Sequence, residues 1–168
     1  MTGGGCILGR SVGKISLIPE LSGGPHPQTE TESKLAGQTA AQKIIARSSG
    51  RESVGIGEIV WAKVDAQLMH DNQGPYRMGK DFESLGLPIW DKNKFVLSAD
   101  HHNPPTKDPQ TKVLNITRAF AKEQELPHFF DGEGICHILM AERGFVRPGG
   151  IITGTDSHTT NAGALGAM

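Results

Sequence analysis

Three short segments concentrate the side chains that could carry out chemistry. They read SADHH from Ser98, GEGICH from Gly132 and GTDSHTT from Gly154. A carboxylate beside an imidazole fixes the tautomer of the ring and raises its basicity, so such pairs serve proton transfer or metal binding. The residues that could form these pairs are Asp100, His101, His102, His137, Asp156 and His158.

The hydroxyl groups of the third segment extend this chemistry. Ser157, Thr159 and Thr160 offer hydrogen-bond donors to an anionic substrate. The following NAGALGAM predicts a helix, whose first N–H groups favour a carboxylate or phosphate. Each segment also has a simpler interpretation: a solvated loop for DHH, a core histidine for His137, and a helix N-cap for DSHTT.

The elements around these segments predict how they are positioned. GQTAAQKIIARSSG, TKVLNITRAFAKEQEL and ICHILMAERG have helical periodicity, whereas GEIVWAKVD (57–65), KFVLSAD and GIITGTD read as strands. MHDNQGPYRMG reads as a turn-rich loop. Alternating strands and helices without hairpin signals predict an α/β fold, with three α/β/α layers around a mainly parallel sheet. The polar segments all follow strands or loops, so we expect them at one carboxyl edge of that sheet, where ligands bind.

Composition excludes several classes of function. A net charge of −1 gives no argument for a nucleic-acid partner or an acidic membrane surface, and no apolar run approaches the length of a membrane span. Cys6 and Cys136 cannot form a disulfide framework or a four-cysteine metal site, so a reducing compartment is expected. Residues 1–35 are predicted to be a disordered N-terminal extension or a presequence. The cytoplasm is therefore the expected location, with the mitochondrial matrix as the alternative.

Together the motifs resemble a known family. SADHHNPP, then GEGICHILMAERGFVRPGGIITG, then GTDSHTTNAGALGA resemble the aconitase and 3-isopropylmalate dehydratase large-subunit family, over residues 36–168. The resemblance implies a partial aconitase-type domain and an iron–sulfur hydro-lyase. Such an enzyme isomerises a hydroxy di- or tricarboxylic acid by dehydration and rehydration, with a [4Fe-4S] cluster as Lewis acid.

The resemblance also implies a role for each candidate residue. Asp100 and His101 would protonate the departing hydroxyl, and His137 with Asp156 would form a second pair near the cluster. His158 would line the site. Ser157 would contact a substrate carboxylate, and His70 would be a polar residue on the substrate side.

Further parts are expected from the family pattern. The cluster cysteines would lie downstream, so no metal ligand is expected within this chain. It would then be a truncated N-terminal part, inactive alone and requiring a small subunit or a C-terminal swivelling domain. Ile138 stands where relatives often carry Gln, which would remove one polar contact.

Two other interpretations remain open from the residues. DHH is also the signature of a class of metal phosphoesterases, although these need a D-x-D motif upstream and residues 1–99 contain none. Alternatively, the chain could be a non-catalytic truncated remnant.

Overall fold

A four-stranded, fully parallel sheet is the centre of the fold, in the order β3–β2–β1–β4. The computed structural model describes residues 37–168, so the predicted extension at 1–35 lies outside the described residues. The strands are β1 (Ala66–His70), β2 (Phe95–Ala99), β3 (Phe129–Asp131) and β4 (Ile152–Gly154). In the centre of the sheet, Leu68 of β1 is in register with Val96 of β2 and with Gly154 of β4.

Helices cover both faces of this sheet. They are α1 (Ala40–Ser49), α2 (Pro75–Leu85), α3 (Asp108–Glu123) and α4 (Cys136–Glu142), with 3₁₀ helices at Lys92–Lys94 and Ser157–Leu165. Among residues 37–168, no helix is long and apolar enough to cross a membrane.

Successive residues of the central strands point into two separate cores. Leu68 packs in one cluster with Met140 of α4, whereas its neighbour Met69 packs in the other with Phe120 of α3. This alternation follows from the two-residue period of a strand. The predicted α/β fold with helices on both faces of a mainly parallel sheet is confirmed.

Local signals placed three of the helices correctly. Thr39 and Gln42 form a capping box at the start of α1, and Gly50 ends that helix in the left-handed conformation with φ of 70°. The helices predicted around α3 and α4 are confirmed within a few residues.

The strand predicted over 57–65 is wrong. Those residues form turns and coil, and Ile59 and Trp61 are 94% and 96% exposed. The strand begins at Ala66, because the run AQLMH is the one that lies between β2 and β4. A central parallel strand is buried on both faces and therefore lacks the alternating pattern that marked 57–65.

Two helix boundaries also differ from the predictions. Part of the predicted loop MHDNQGPYRMG belongs to α2, which starts with Pro75 in its first turn, where the missing N–H of proline is tolerated. The helix expected from Asn161 is a 3₁₀ helix that begins earlier, at Ser157. Asp156 is its N-cap and accepts a hydrogen bond from the backbone N–H of His158.

Candidate active site

The polar segments meet at the carboxyl edge of the sheet. Asp100 directly follows β2, and Asp156 lies two residues after β4. A cavity of about 670 Å³ opens there, between the first turn of α4 and the 3₁₀ helix. It is lined by Asp100, His101, Ile135, Cys136, His137, Ile138, Asp156, His158, Thr160 and Asn161. The structure thus brings all five predicted catalytic residues to one cavity, while their catalytic roles stay predictions.

Asp156 is the centre of this cluster. Its Oδ1 atom lies 2.9 Å from His137 Nε2 and accepts the backbone N–H of His158 at 2.7 Å. Its Oδ2 atom lies 3.4 Å from His101 Nε2. Burial by itself would raise the pKa of Asp156, but the hydrogen bonds from His158 and His137 outweigh it and hold that pKa below its usual range. Asp156 is therefore an anion that neighbouring imidazoles share.

Asp100 and His101 form the predicted pair. His101 Nδ1 lies 3.1 Å from Asp100 Oδ1, and the backbone N–H of Cys136 donates to Asp100 Oδ2 at 2.8 Å. Burial would raise the pKa of Asp100, but the bond from Cys136 and the one from His101 lower it. An ionised Asp100 favours the tautomer of His101 with its proton on Nδ1, which directs Nε2 away from Asp100.

Asp71 is a site residue that the sequence analysis missed. It is fully buried, and its carboxylate accepts the backbone N–H groups of His101 at 3.2 Å and His102 at 2.9 Å. It therefore fixes the turn that carries His101. Because the sequence analysis placed the strand at 57–65, it did not recognise that Asp71 also directly follows a strand of the sheet.

His70 does not line the cavity. Its side chain is 1% exposed, and its ring stacks on that of His101 with the ring centroids 4.1 Å apart. Burial and the neighbouring His101 lower the pKa of His70, so the ring is neutral. The substrate contact predicted for His70 is not available in this geometry, because the ring lies behind His101.

The polar rim of the cavity comes from the 3₁₀ helix. Ser157 is exposed, with its Oγ 3.4 Å from His158 Nδ1, but it does not line the cavity. Residues three apart share one face of a 3₁₀ helix, so His158 and Asn161 point the same way. Asn161 was missed because the sequence predicted the helix to start at that residue.

Gly154 allows the DSHTT turn to close. A Cβ atom at this position would fall against the side chain of Thr159. The Thr159 hydroxyl donates to the backbone carbonyl of Asp156 at 2.7 Å. A glycine is thus required where the strand turns into the helix that carries His158.

The described residues do not supply the thiolates of an iron–sulfur cluster. Cys136 is the one thiol within residues 37–168, and it is buried. Burial, together with the nearby Asp100 carboxylate, raises the pKa of Cys136 to about 12, which disfavours the thiolate that binds iron. The donors that could hold a metal ion here are imidazoles and carboxylates, of which His70, His101 and Asp156 form one compact set.

Comparison with known proteins identifies relatives along most of the described chain. A family model described as Aconitase family (aconitate hydratase) matches residues 40–168. The chain is 42% identical over 134 residues to the 3-isopropylmalate dehydratase large subunit 1 of Methanopyrus kandleri, a match that covers 79% of this chain and 32% of that protein. It is 41% identical over 132 residues to the "Probable methanogen homoaconitase large subunit" of Methanothermobacter thermautotrophicus, covering 76% of this chain and 31% of that protein.

The chain spans about a third of the length of these curated relatives. The match includes all three polar segments that meet at the cavity. The alternative prediction of a DHH-type phosphoesterase is not supported by these matches.

Proposed function

This chain belongs to the aconitase family, and on that premise we propose that its cavity handles the protons of a hydro-lyase reaction. The observation that carries the proposal is the convergence of two carboxylate–imidazole pairs, Asp100–His101 and Asp156–His137, on one cavity. The substrate would be a small hydroxy di- or tricarboxylic acid.

His101 is the proposed acid for the departing hydroxyl. Its Nδ1 is bound to Asp100 at 3.1 Å, so the proton on Nε2 of the imidazolium is the one free to leave. That proton and the hydroxyl depart as water, which leaves the neutral tautomer of His101 with its proton on Nδ1, the tautomer that Asp100 favours. The proton on the neighbouring carbon must go to another base, which we do not assign to residues 37–168.

Asp156 is proposed to orient this acid. Its lowered pKa keeps it ionised, and its Oδ2 lies 3.4 Å from His101 Nε2. This carboxylate therefore faces the nitrogen that is proposed to carry the transferred proton. When a substrate hydroxyl takes the Nε2 proton, Asp156 remains held by His137 and His158.

Cofactor and partner are proposed for the whole protein. The family implies a [4Fe-4S] cluster, but the described residues do not supply its ligands, so no step of this mechanism runs through it. The relatives are named large subunits, which supports a small-subunit partner for this chain as well. Ile135 and Ile138 form an apolar wall of the cavity, and this favours a substrate with an apolar branch over a third carboxylate.

A chimera tests the proposal. Residues 37–168 would replace the matching third of the Methanopyrus large subunit, and the product would be assayed with the small subunit of that organism for formation of the unsaturated acid. We expect activity on 3-isopropylmalate to exceed that on a tricarboxylate, and Asp100→Asn to abolish most of it. A chimera that contains its cluster, judged by visible absorbance, yet has no activity would contradict the proposal. His128→Gln, at the opposite edge of the sheet, is the matched control.

A further inference from the structure

His70 presents a polar group that the proposed function leaves unexplained. Its ring is buried, and neither ring nitrogen has a hydrogen-bond partner among residues 37–168. Burying an imidazole without hydrogen-bond partners costs folding free energy. Such a group in a folded protein therefore indicates a bound ligand or another function. The nearest charged atoms are Asp156 Oδ2, 3.6 Å from Nε2, and Asp71 Oδ1, 4.0 Å from Nδ1.

The donor atoms around His70 have metal-site spacing. His70 Nε2 lies 3.6 Å and His101 Nε2 lies 3.4 Å from the same oxygen, Asp156 Oδ2. All three donor atoms lie within 4.8 Å of one another. Tetrahedral zinc with bonds of about 2.0–2.1 Å keeps its ligand atoms about 3.3–3.4 Å apart. The distances from Asp156 Oδ2 to the two imidazole nitrogens, 3.6 and 3.4 Å, are close to that spacing.

The second ring nitrogens of the two histidines also have the surroundings that metal-bound histidines have. Metal-bound histidines hold their second nitrogen near a carboxylate. His101 Nδ1 has Asp100 at 3.1 Å, and His70 Nδ1 faces Asp71 at 4.0 Å. The hydrogen bonds of Asp156 are made by Oδ1, so Oδ2 is available.

We propose that His70, His101 and Asp156 form a binding site for a single divalent first-row metal ion of the zinc class, with the fourth position open to the cavity. The ligand set is two imidazoles and one carboxylate, which suits such ions. Three carboxylates, Asp71, Asp100 and Asp156, surround the two rings and favour a cation. The two rings are only 21° from parallel. The His101 ring must therefore tilt so that its Nε2 lone pair points at the same ion as that of His70. The His101 side chain is 32% exposed, which leaves room for this movement.

A second donor set at the cavity is the less favourable one. His137, Asp156 and His158 are also within ligand distance. However, His137 Nε2 and His158 Nδ1 already bind Asp156 Oδ1, at 2.9 and 3.1 Å. Binding there would cost two hydrogen bonds, whereas the nitrogens of His70 have none to lose.

The site would oppose the proposed reaction. An ion on His101 Nε2 occupies the atom that is proposed to protonate the hydroxyl. Metal binding and proton transfer would therefore exclude each other, and the ion would act as an inhibitor. The inference is tested by binding alone, so its failure is distinct from failure of the hydro-lyase proposal.

Calorimetric titration of the chelator-treated 168-residue chain with Zn²⁺ tests the site, in a Cys6→Ser background so that this thiol cannot contribute. We expect one ion per chain, and His70→Gln should weaken binding by at least about tenfold. Asp156→Asn should do the same, whereas His137→Gln and the control His128→Gln should change the affinity little. The absence of binding at millimolar Zn²⁺ would overturn the proposal. Loss of binding in His137→Gln but not in His70→Gln would also overturn it, since the ion would then be bound by the second donor set.

A measurement on the unmutated His70 covers the case in which His70→Gln fails to fold. Nitrogen chemical shifts of the imidazole rings report which nitrogen binds a metal. A Zn²⁺-dependent shift of His70 Nε2 is expected, and its absence while other rings shift would overturn the proposal.

Discussion

The floor and the rim of the cavity differ in how deeply their side chains are buried and in what those side chains contact. The floor is His70 and Asp71 at the end of β1, both buried, and Asp71 acts on the backbone that carries His101. The rim is the start of the 3₁₀ helix, where His158 lines the cavity with a side chain that is 82% exposed and Ser157 lies beside it, outside the cavity. Asp156 lies between them, with Oδ2 facing His70 and Oδ1 facing His158. Floor residues therefore determine where the reactive imidazole sits, and rim residues are free to contact a ligand.

The largest effect expected from this difference is on turnover. In the chimera, His101→Ala should slow the reaction by about a hundredfold to ten-thousandfold, the range of a positioned general acid. Ser157→Ala on the rim should cost at most about tenfold, the worth of one exposed hydrogen bond. Steady-state kinetics measure both, with cluster absorbance as the control. Equal losses in the two variants would contradict the role of His101, the imidazole that the floor positions, as the general acid.

Asp71 offers the largest expected effect on stability. Asp71→Ala removes a fully buried acceptor and leaves the partly buried N–H groups of His101 and His102 without a partner, which should lower the free energy of unfolding by about 2–4 kcal/mol. Ser157→Ala should change it by less than about 0.5 kcal/mol. Urea denaturation gives both values. A loss for Asp71→Ala as small as that for Ser157→Ala would show that the floor does not hold the turn.

Two glycines near the rim test how closely the DSHTT turn is packed. Gly154→Ala places a methyl group against Thr159, and it should destabilise the chain by about 1–3 kcal/mol. Gly163 lies in the 3₁₀ helix that also carries Thr159, and a Cβ atom there would have nothing within 4 Å. Gly163→Ala should therefore be neutral or slightly stabilising. Thermal denaturation compares the pair. If both were neutral, the close contact at Gly154 would not constrain the turn.

The smallest expected effect is a pH dependence from Cys136. Its folded pKa is raised to about 12, whereas an unfolded thiol has a pKa of about 8.5. The stability that this shift contributes is fully present below the unfolded pKa and is lost as pH rises through the folded pKa. In a Cys6→Ser background, raising the pH from 8 to 9.5 should lower the free energy of unfolding by about 1 kcal/mol more than in the matched Cys136→Ala variant. Identical slopes in the two variants would contradict the raised pKa.

Features that depend on neighbouring residues could be predicted from the amino-acid sequence alone. The cap residues Thr39 and Gly50 bound α1 because a helix end is completed by groups within a few positions. The strands KFVLSAD and GIITGTD were recognised from their apolar runs, and the polar residues after them identified the edge where the cavity lies. The family resemblance rests on the same short segments.

The identity of the central strand, in contrast, depends on how distant segments pack together. The alternating pattern of 57–65 is the stronger local strand signal, yet Ala66–His70 is paired on both sides. Because this strand is central, His70 and Asp71 at its end are buried beneath His101. The pairing with β4 also brings Asp156 close to the imidazoles of His70 and His101. Strand order and burial depend on contacts between distant segments, such as the one between His70 and Thr155, which are 85 positions apart, so no local pattern could reveal them.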